Sequence, residues 1–146
     1  MNKKTVAVAI LSVVVAASVG RLAATAVSAV KQTVGSLTIS QDGFKKAYAS
    51  ANALVIDVRD ETSYRVGHIT GAINIPVRQI ELRAGLVKSE AQGRTVVTYC
   101  ACPSEHASAQ AAELLVKRGV KNVYALVGGY RAWVKAGGRV SVGTGR

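Results

Sequence analysis

Cys100 and Cys102, separated by a single alanine, are the residues whose type and spacing point most directly to chemistry. Pro103, Ser104, Glu105, His106, Ala107 and Ser108 follow at once. A strand-forming run, 94–99, leads into the pair, and an alanine- and leucine-rich stretch, 107–118, leads away from it. The order is therefore strand, cysteine loop, helix. A helix N-terminus offers unpaired backbone N–H groups and a partial positive charge. A thiolate held there has a lowered pKa and raised reactivity. The same donors can cradle an anion such as a persulfide, thiosulfate or phosphate. An inert, buried cysteine at a strand end is the competing reading, and two cysteines so close together fit it poorly. The chain has no other cysteine, so a disulfide framework is excluded. Cys100, Cys102 and His106 would give three metal ligands, but no fourth is evident and the spacing is not that of a zinc site, so no metal is expected.

The elements that must position this loop follow from pattern. Residues 37–39 form a short β-type run, and Ser40 can cap a helix from Gln41 to about Ser50 carrying Phe44, Ala47 and Tyr48 at helical spacing. Residues 53–56 are a continuous apolar run ending in Asp57, which suits a strand covered on both faces. Residues 71–76 read as another short strand, followed by a helix containing Ile80, Leu82 and Leu86. Residues 94–99 and 123–126 are two further core strands. The helix over 107–118 closes at Gly119, and Gly128-Gly129 turns the chain into a last helix carrying Trp133. Strands alternating with helices predict an α/β fold, a single domain with an open parallel sheet flanked by helices. Such sheets bind ligands beyond the carboxyl ends of their strands, where the cysteines fall. From Gly137 the chain is glycine-rich and is expected to be a flexible tail, 137–146.

Residues 1–30 read as targeting sequence, either a signal peptide or an N-terminal membrane anchor. Lys3 and Lys4 precede an apolar run, 6–19, and Ala24-Thr25-Ala26 offers a cleavage pattern. A spanning helix would have to run through Gly20 and Arg21, with the arginine snorkelling to the interface. Either reading places the domain on the extracytoplasmic side, periplasmic in a bacterium, with membrane association through residues 5–26 if the segment is kept. The net charge is +11, and setting aside Lys3, Lys4 and Arg21 leaves +8. The basic residues are scattered rather than gathered with aromatics, which argues against nucleic acid. A monomer is expected.

Four segments in order resemble the rhodanese-like domain family, over about residues 37–136. Leu54-Val55-Ile56-Asp57-Val58-Arg59-Asp60 is similar to its Asp-Val-Arg segment. The run from Gly67 and His68 through Gly71, Ala72, Asn74 and Ile75 to Pro76 resembles its Gly-His-Ile-x-Gly-Ala-x-Asn-Ile-Pro signature. Val97-Thr98-Tyr99-Cys100 resembles the strand leading into the active-site cysteine, and Gly128-Gly129-Tyr130-Arg131-Ala132-Trp133 the closing Gly-Gly-x-x-Ala-Trp motif. The resemblance implies a sulfurtransferase: a cysteine takes sulfane sulfur from a small-molecule or protein donor, holds it as a persulfide against backbone N–H groups, and passes it to a thiol acceptor. It implies no cofactor. A non-catalytic binding or redox-sensing module is the alternative, and the two retained cysteines favour the enzyme.

The loop departs from the usual pattern, in which the cysteine is followed after four residues by Arg. Counted from the strand, the catalytic slot is Cys100; counted back from the helix, it is Cys102. The arginine position falls on Glu105 or Ala107. Loss of that cation, with Glu105 at the mouth and Pro103 lacking an N–H, predicts poor use of thiosulfate. His106, if protonated, would offset Glu105. The loop residues Pro103 to Ser108 and Arg59 are the candidate substrate contacts. Arg59 can equally be half of an ion pair with Asp57 holding strand ends. Asp57, His68, Gly128 and Gly129 read as structural.

Overall fold

The computed structural model describes residues 37–144; the targeting segment expected over 1–30 lies outside the described residues. Seven strands and five helices alternate in it. They are β1 Thr38–Ile39, α1 Gln41–Ala49, β2 Ala53–Asp57, α2 Glu61–Val66, β3 His68–Ile69 and β4 Ile73–Asn74. There follow α3 Ala84–Ala91, β5 Thr95–Tyr99, α4 His106–Lys117, β6 Val123–Leu126, α5 Gly129–Lys135 and β7 Val140–Ser141. The main sheet has the order β1-β6-β5-β2-β4. All its pairings are parallel. β3 and β7 form a separate antiparallel ribbon. The chain is thus a single α/β domain over these residues, with a mostly parallel sheet flanked by helices. Among the described residues, no helix is long and apolar enough to cross a membrane.

The continuous apolar strands are explained by cover on both faces. Leu54 and Ile56 of β2, Val96 of β5, and Val123 and Ala125 of β6 face one cluster, where Ala84 and Val87 of α3 and Ala111, Ala112 and Leu115 of α4 meet them. Val55, Val97, Tyr99 and Leu126 face the other way, onto Phe44 of α1, Tyr64 of α2 and Trp133 of α5. The period-2 alternation along each strand distributes its side chains between two cores. Ser40 caps α1 by accepting from the Gly43 N–H at 3.1 Å.

Three local expectations are corrected. The helix through Ile80, Leu82 and Leu86 is instead a short 3-10 turn, Val77–Gln79, followed by a turn and α3. The buried stripe is Ile80, Ala84, Val87 and Ala91, while Leu82 is 89% exposed. The strand over 71–76 shrinks to Ile73–Asn74, because the Asn74 side chain turns back to donate to the carbonyls of Asp57 and Arg59, both at 3.0 Å. α2 was not foreseen; Asp60 caps it by accepting from the Ser63 N–H at 2.9 Å.

The glycine-rich tail is the third correction. Val140 and Ser141 pair with Ile69 and His68. Arg139 O accepts from the Thr70 N–H at 3.1 Å and from Trp133 Nε1 at 3.0 Å. Gly138 sits so close to the Trp133 ring that a Cβ there would overlap it. Absence of side chains permits that approach, so glycine here marks contact rather than freedom.

Candidate active site

Both cysteines lie just beyond the carboxyl end of β5, which β2 and β6 flank in the sheet. The ladder pairs Tyr99 with Asp57, and Cys100 is the first residue past it. Cys100 is 1% exposed and belongs to the core. Its carbonyl accepts from the Tyr130 N–H at 2.9 Å, fixing it beneath the start of α5. Cys102 is partly exposed. The loop between β5 and α4 spans residues 100–105.

The sulfurs are 3.0 Å apart, with Cys102 Sγ donating to Cys100 Sγ. Ser108 Oγ stands 3.6 Å from Cys100 Sγ and 2.9 Å from the Glu105 carbonyl. Its single proton serves one of these acceptors at a time. Burial works to raise the Cys100 pKa, but hydrogen bonds from Cys102 and Ser108, side chain and backbone alike, outweigh it and the net shift is downward. Cys102 moves upward, first through the hydrogen bond it gives Cys100 and then through burial, against the opposing Ala107 N–H. The S–H of Cys102 directed at Cys100 thus favours charge on the inner sulfur.

Other elements hold the loop. Glu105 adopts the left-handed conformation, φ 49°, at the start of α4, and its Oε1 accepts from the Gly128 N–H at 2.8 Å. Its carboxylate is thus a strap between loop and turn. A Cβ at Gly129 would overlap the Cys100 carbonyl oxygen. Two contributors were not foreseen from sequence. Thr98 Oγ1 donates to Ser108 O at 2.9 Å, pinning the first turn of α4, and Gln41 Nε2 donates to Val127 O at 2.7 Å, bracing the glycine turn. The latter partners are 86 positions apart, and nothing local announces such a contact.

The remaining candidates divide clearly. Pro103, Ser104 and His106 are exposed on the rim, and Ala107 is partly exposed. Arg59 does not join them. Its guanidinium grips the fully buried Asp57, with Nη2 to Oδ2 at 2.6 Å, donates to Gly67 O at 2.6 Å, and lies 4.3 Å from the Tyr130 ring centre. The candidate substrate contact is therefore occupied within the ion pair. His68 is buried, with Nδ1 donating to Tyr64 O at 2.9 Å and its ring stacked on Tyr64. A cavity of about 530 Å³, lined in part by Arg65, Asn74, Arg78 and Arg83, opens elsewhere, and neither cysteine lines it. No group of residues suited to hold a metal occurs among the described residues.

Residues 40–136 match the family described as the rhodanese-like domain. The chain is 32% identical over 103 residues to the uncharacterized protein YqhL of Bacillus subtilis, covering 70% of this chain and 74% of that one. It is 34% identical over 88 residues to the thiosulfate sulfurtransferase GlpE of Pseudomonas fluorescens, covering 60% and 76%. Among solved structures, the human single-domain sulfurtransferase TSTD1 superposes with a TM-score of 0.59 at 26% identity, over 69% of this chain and 97% of that one.

Proposed function

The chain belongs to the rhodanese-like domain family, and from that premise we propose that it is a sulfurtransferase whose Cys102 accepts sulfane sulfur as a persulfide and passes it to a thiol. The observation that carries this reading is the placement of the pair: the sulfurs lie 3.0 Å apart, and Cys102 is the one that a donor can reach. Cys102 gives its proton to the Cys100 thiolate and attacks the outer sulfur of a donor persulfide. The donor's S–S bond breaks, a new S–S bond forms on Cys102, and the donor departs as a thiolate that takes its proton from solvent. An acceptor thiolate then removes the outer sulfur and restores Cys102. Each step is thiol–disulfide exchange chemistry.

Donor choice follows from the mouth of the loop. GlpE carries thiosulfate in its name, but here the rim residues 103–108 include no Arg or Lys, and Glu105 contributes a negative charge. A dianion lacks its fork of donors there. Neutral or singly charged persulfides and polysulfides are the better donors.

The test is direct. Reduced protein is exposed to polysulfide or to thiosulfate, and added sulfur is mapped by mass spectrometry beside Cys100→Ala and Cys102→Ala. Sulfur on Cys102 from polysulfide, lost in Cys102→Ala, is the expected result. Rapid turnover of thiosulfate would overturn the donor preference. Folded protein with free thiols and no added sulfur would point instead to a binding or sensing module.

A further inference from the structure

We propose that Cys100 is a resolving thiol that converts the Cys102 persulfide into free sulfide and a Cys100–Cys102 disulfide, making the domain a dithiol-dependent, sulfide-releasing persulfide reductase. This rests on the reading that Cys102 carries the persulfide.

The argument begins with reach. Cys100 is 1% exposed, so a donor or acceptor in solution does not meet it directly. Its sulfur does meet that of Cys102, at 3.0 Å. A disulfide needs about 2.05 Å, so the pair must close by roughly 1 Å. The anchored partner is Cys100, tied to Tyr130 and packed in the core. The other partner is held less tightly: the Cys102 carbonyl accepts from the Glu105 N–H at a long 3.5 Å. The movement therefore falls on Cys102.

Chemistry favours the step. With the Cys102 S–H consumed in the persulfide, Ser108 and the neighbouring backbone N–H groups remain to favour the Cys100 thiolate, which is the attacking form. It attacks the inner sulfur of Cys102–S–SH. The persulfide S–S bond breaks, the Cys100–Cys102 bond forms, and HS⁻ leaves with the electron pair. The sulfane sulfur gains two electrons, and the two cysteine sulfurs together lose two. A low-molecular-weight or protein dithiol then reduces the disulfide, restoring both thiols and becoming a disulfide itself. Overall, a persulfide and a dithiol give a thiol, sulfide and an oxidised dithiol. A disulfide closing so short a loop is strained and hence readily reduced, as a turnover intermediate must be. Acceptor thiols compete by taking the outer sulfur first, so the two outcomes partition with acceptor concentration.

The experiment loads the full-length reduced protein with glutathione persulfide, which leaves only glutathione behind, and removes small molecules by rapid gel filtration. Intact mass and released sulfide are then followed for wild type, Cys100→Ser, Cys100→Ala and Cys102→Ala. Wild type is expected to release one equivalent of sulfide and lose two hydrogens in mass. Both Cys100 variants are expected to keep one added sulfur and release none. Wild type that holds its persulfide as long as Cys100→Ser, without sulfide, would overturn the inference and leave the sulfurtransferase reading standing. Folded Cys100 variants that gain no sulfur even at a pH where Cys102 ionises without its neighbour would remove the Cys102 persulfide itself and overturn both.

Discussion

A thiol buried at the end of an apolar strand ordinarily stays protonated, because desolvation disfavours its charged form. Cys100 escapes this through the donors that converge on it from Cys102 and Ser108. Cys102 is thus more than a second nucleophile, since its S–H stabilises the charge on its neighbour. Removing that donor leaves desolvation less opposed, so Cys102→Ala should raise the pH at which Cys100 ionises. The ultraviolet absorbance of the thiolate, followed against pH, reads this directly. Wild type should lose its first thiol proton below the ordinary cysteine value and its second above it. The variant should show one step, displaced upward from the first. An unchanged first midpoint would mean that the S–H donor does not stabilise the charge. Arg59 illustrates the opposite fate of a functional-looking residue. The short spacing of Asp57 and Arg59 left two readings open, and the guanidinium is seen paired with buried Asp57 beside the Tyr130 ring.

At the scale of elements, the loop is held less by its own residues than by the turn between β6 and α5. Gly129 has φ 51°, and any Cβ there would collide with the Cys100 carbonyl, a backbone atom that cannot swing aside. Gly129→Ala should therefore lose about 3 kcal/mol of stability and displace Cys100. Gly137 is the control: its φ is 73° with open space around the missing Cβ, so Gly137→Ala should lose only about 1 kcal/mol. Urea unfolding measures both, and equal losses would show that conformation alone, without the close approach, sets the requirement. What could be read from sequence follows the same division. The apolar runs of β2, β5 and β6 and the Ser40 cap were legible because period and capping are local signals. The Gly128-Gly129 turn was legible because paired glycines punctuate a chain locally. The helix expected through Ile80, Leu82 and Leu86 misled because apolar content says nothing of where a chain turns, and Leu82 ends in solvent. The separation of the two sulfurs, and which of them faces outward, were not legible. Six loop residues, 100–105, lie between β5 and α4, and their path is set by distant anchors at Gly128 and Tyr130.

At the scale of the domain, two cores back the sheet, and the second depends on residues that composition alone assigns to a loose end. Phe44, Tyr48 and Trp133 form an aromatic group, with ring centres 4.9 to 5.6 Å apart. The segment 138–141 closes over it. Arg139 supplies the carbonyl that Trp133 Nε1 needs and stacks its guanidinium 5.5 Å from the Tyr48 ring centre, while β7 pairs with β3. A buried indole N–H without an acceptor costs about 1–3 kcal/mol, and the lost ribbon adds to this. Ending the chain at Gly137 should therefore destabilise the domain by about 3 kcal/mol in urea unfolding. Trp133 is the protein's sole tryptophan, so its fluorescence reports the same event without ambiguity. Emission should shift to longer wavelength in the folded truncated protein as water reaches the ring. The cysteine loop gives a second reading, because α5 carries both Trp133 and the Tyr130 N–H that anchors Cys100. If α5 loosens when its cover is removed, Cys100 should become open to alkylation in the truncated protein while remaining protected in the full chain. Unchanged stability, emission and alkylation would show that the tail merely rests on the domain. Loss of all three would make the C-terminal ribbon part of the support on which the sulfur chemistry depends.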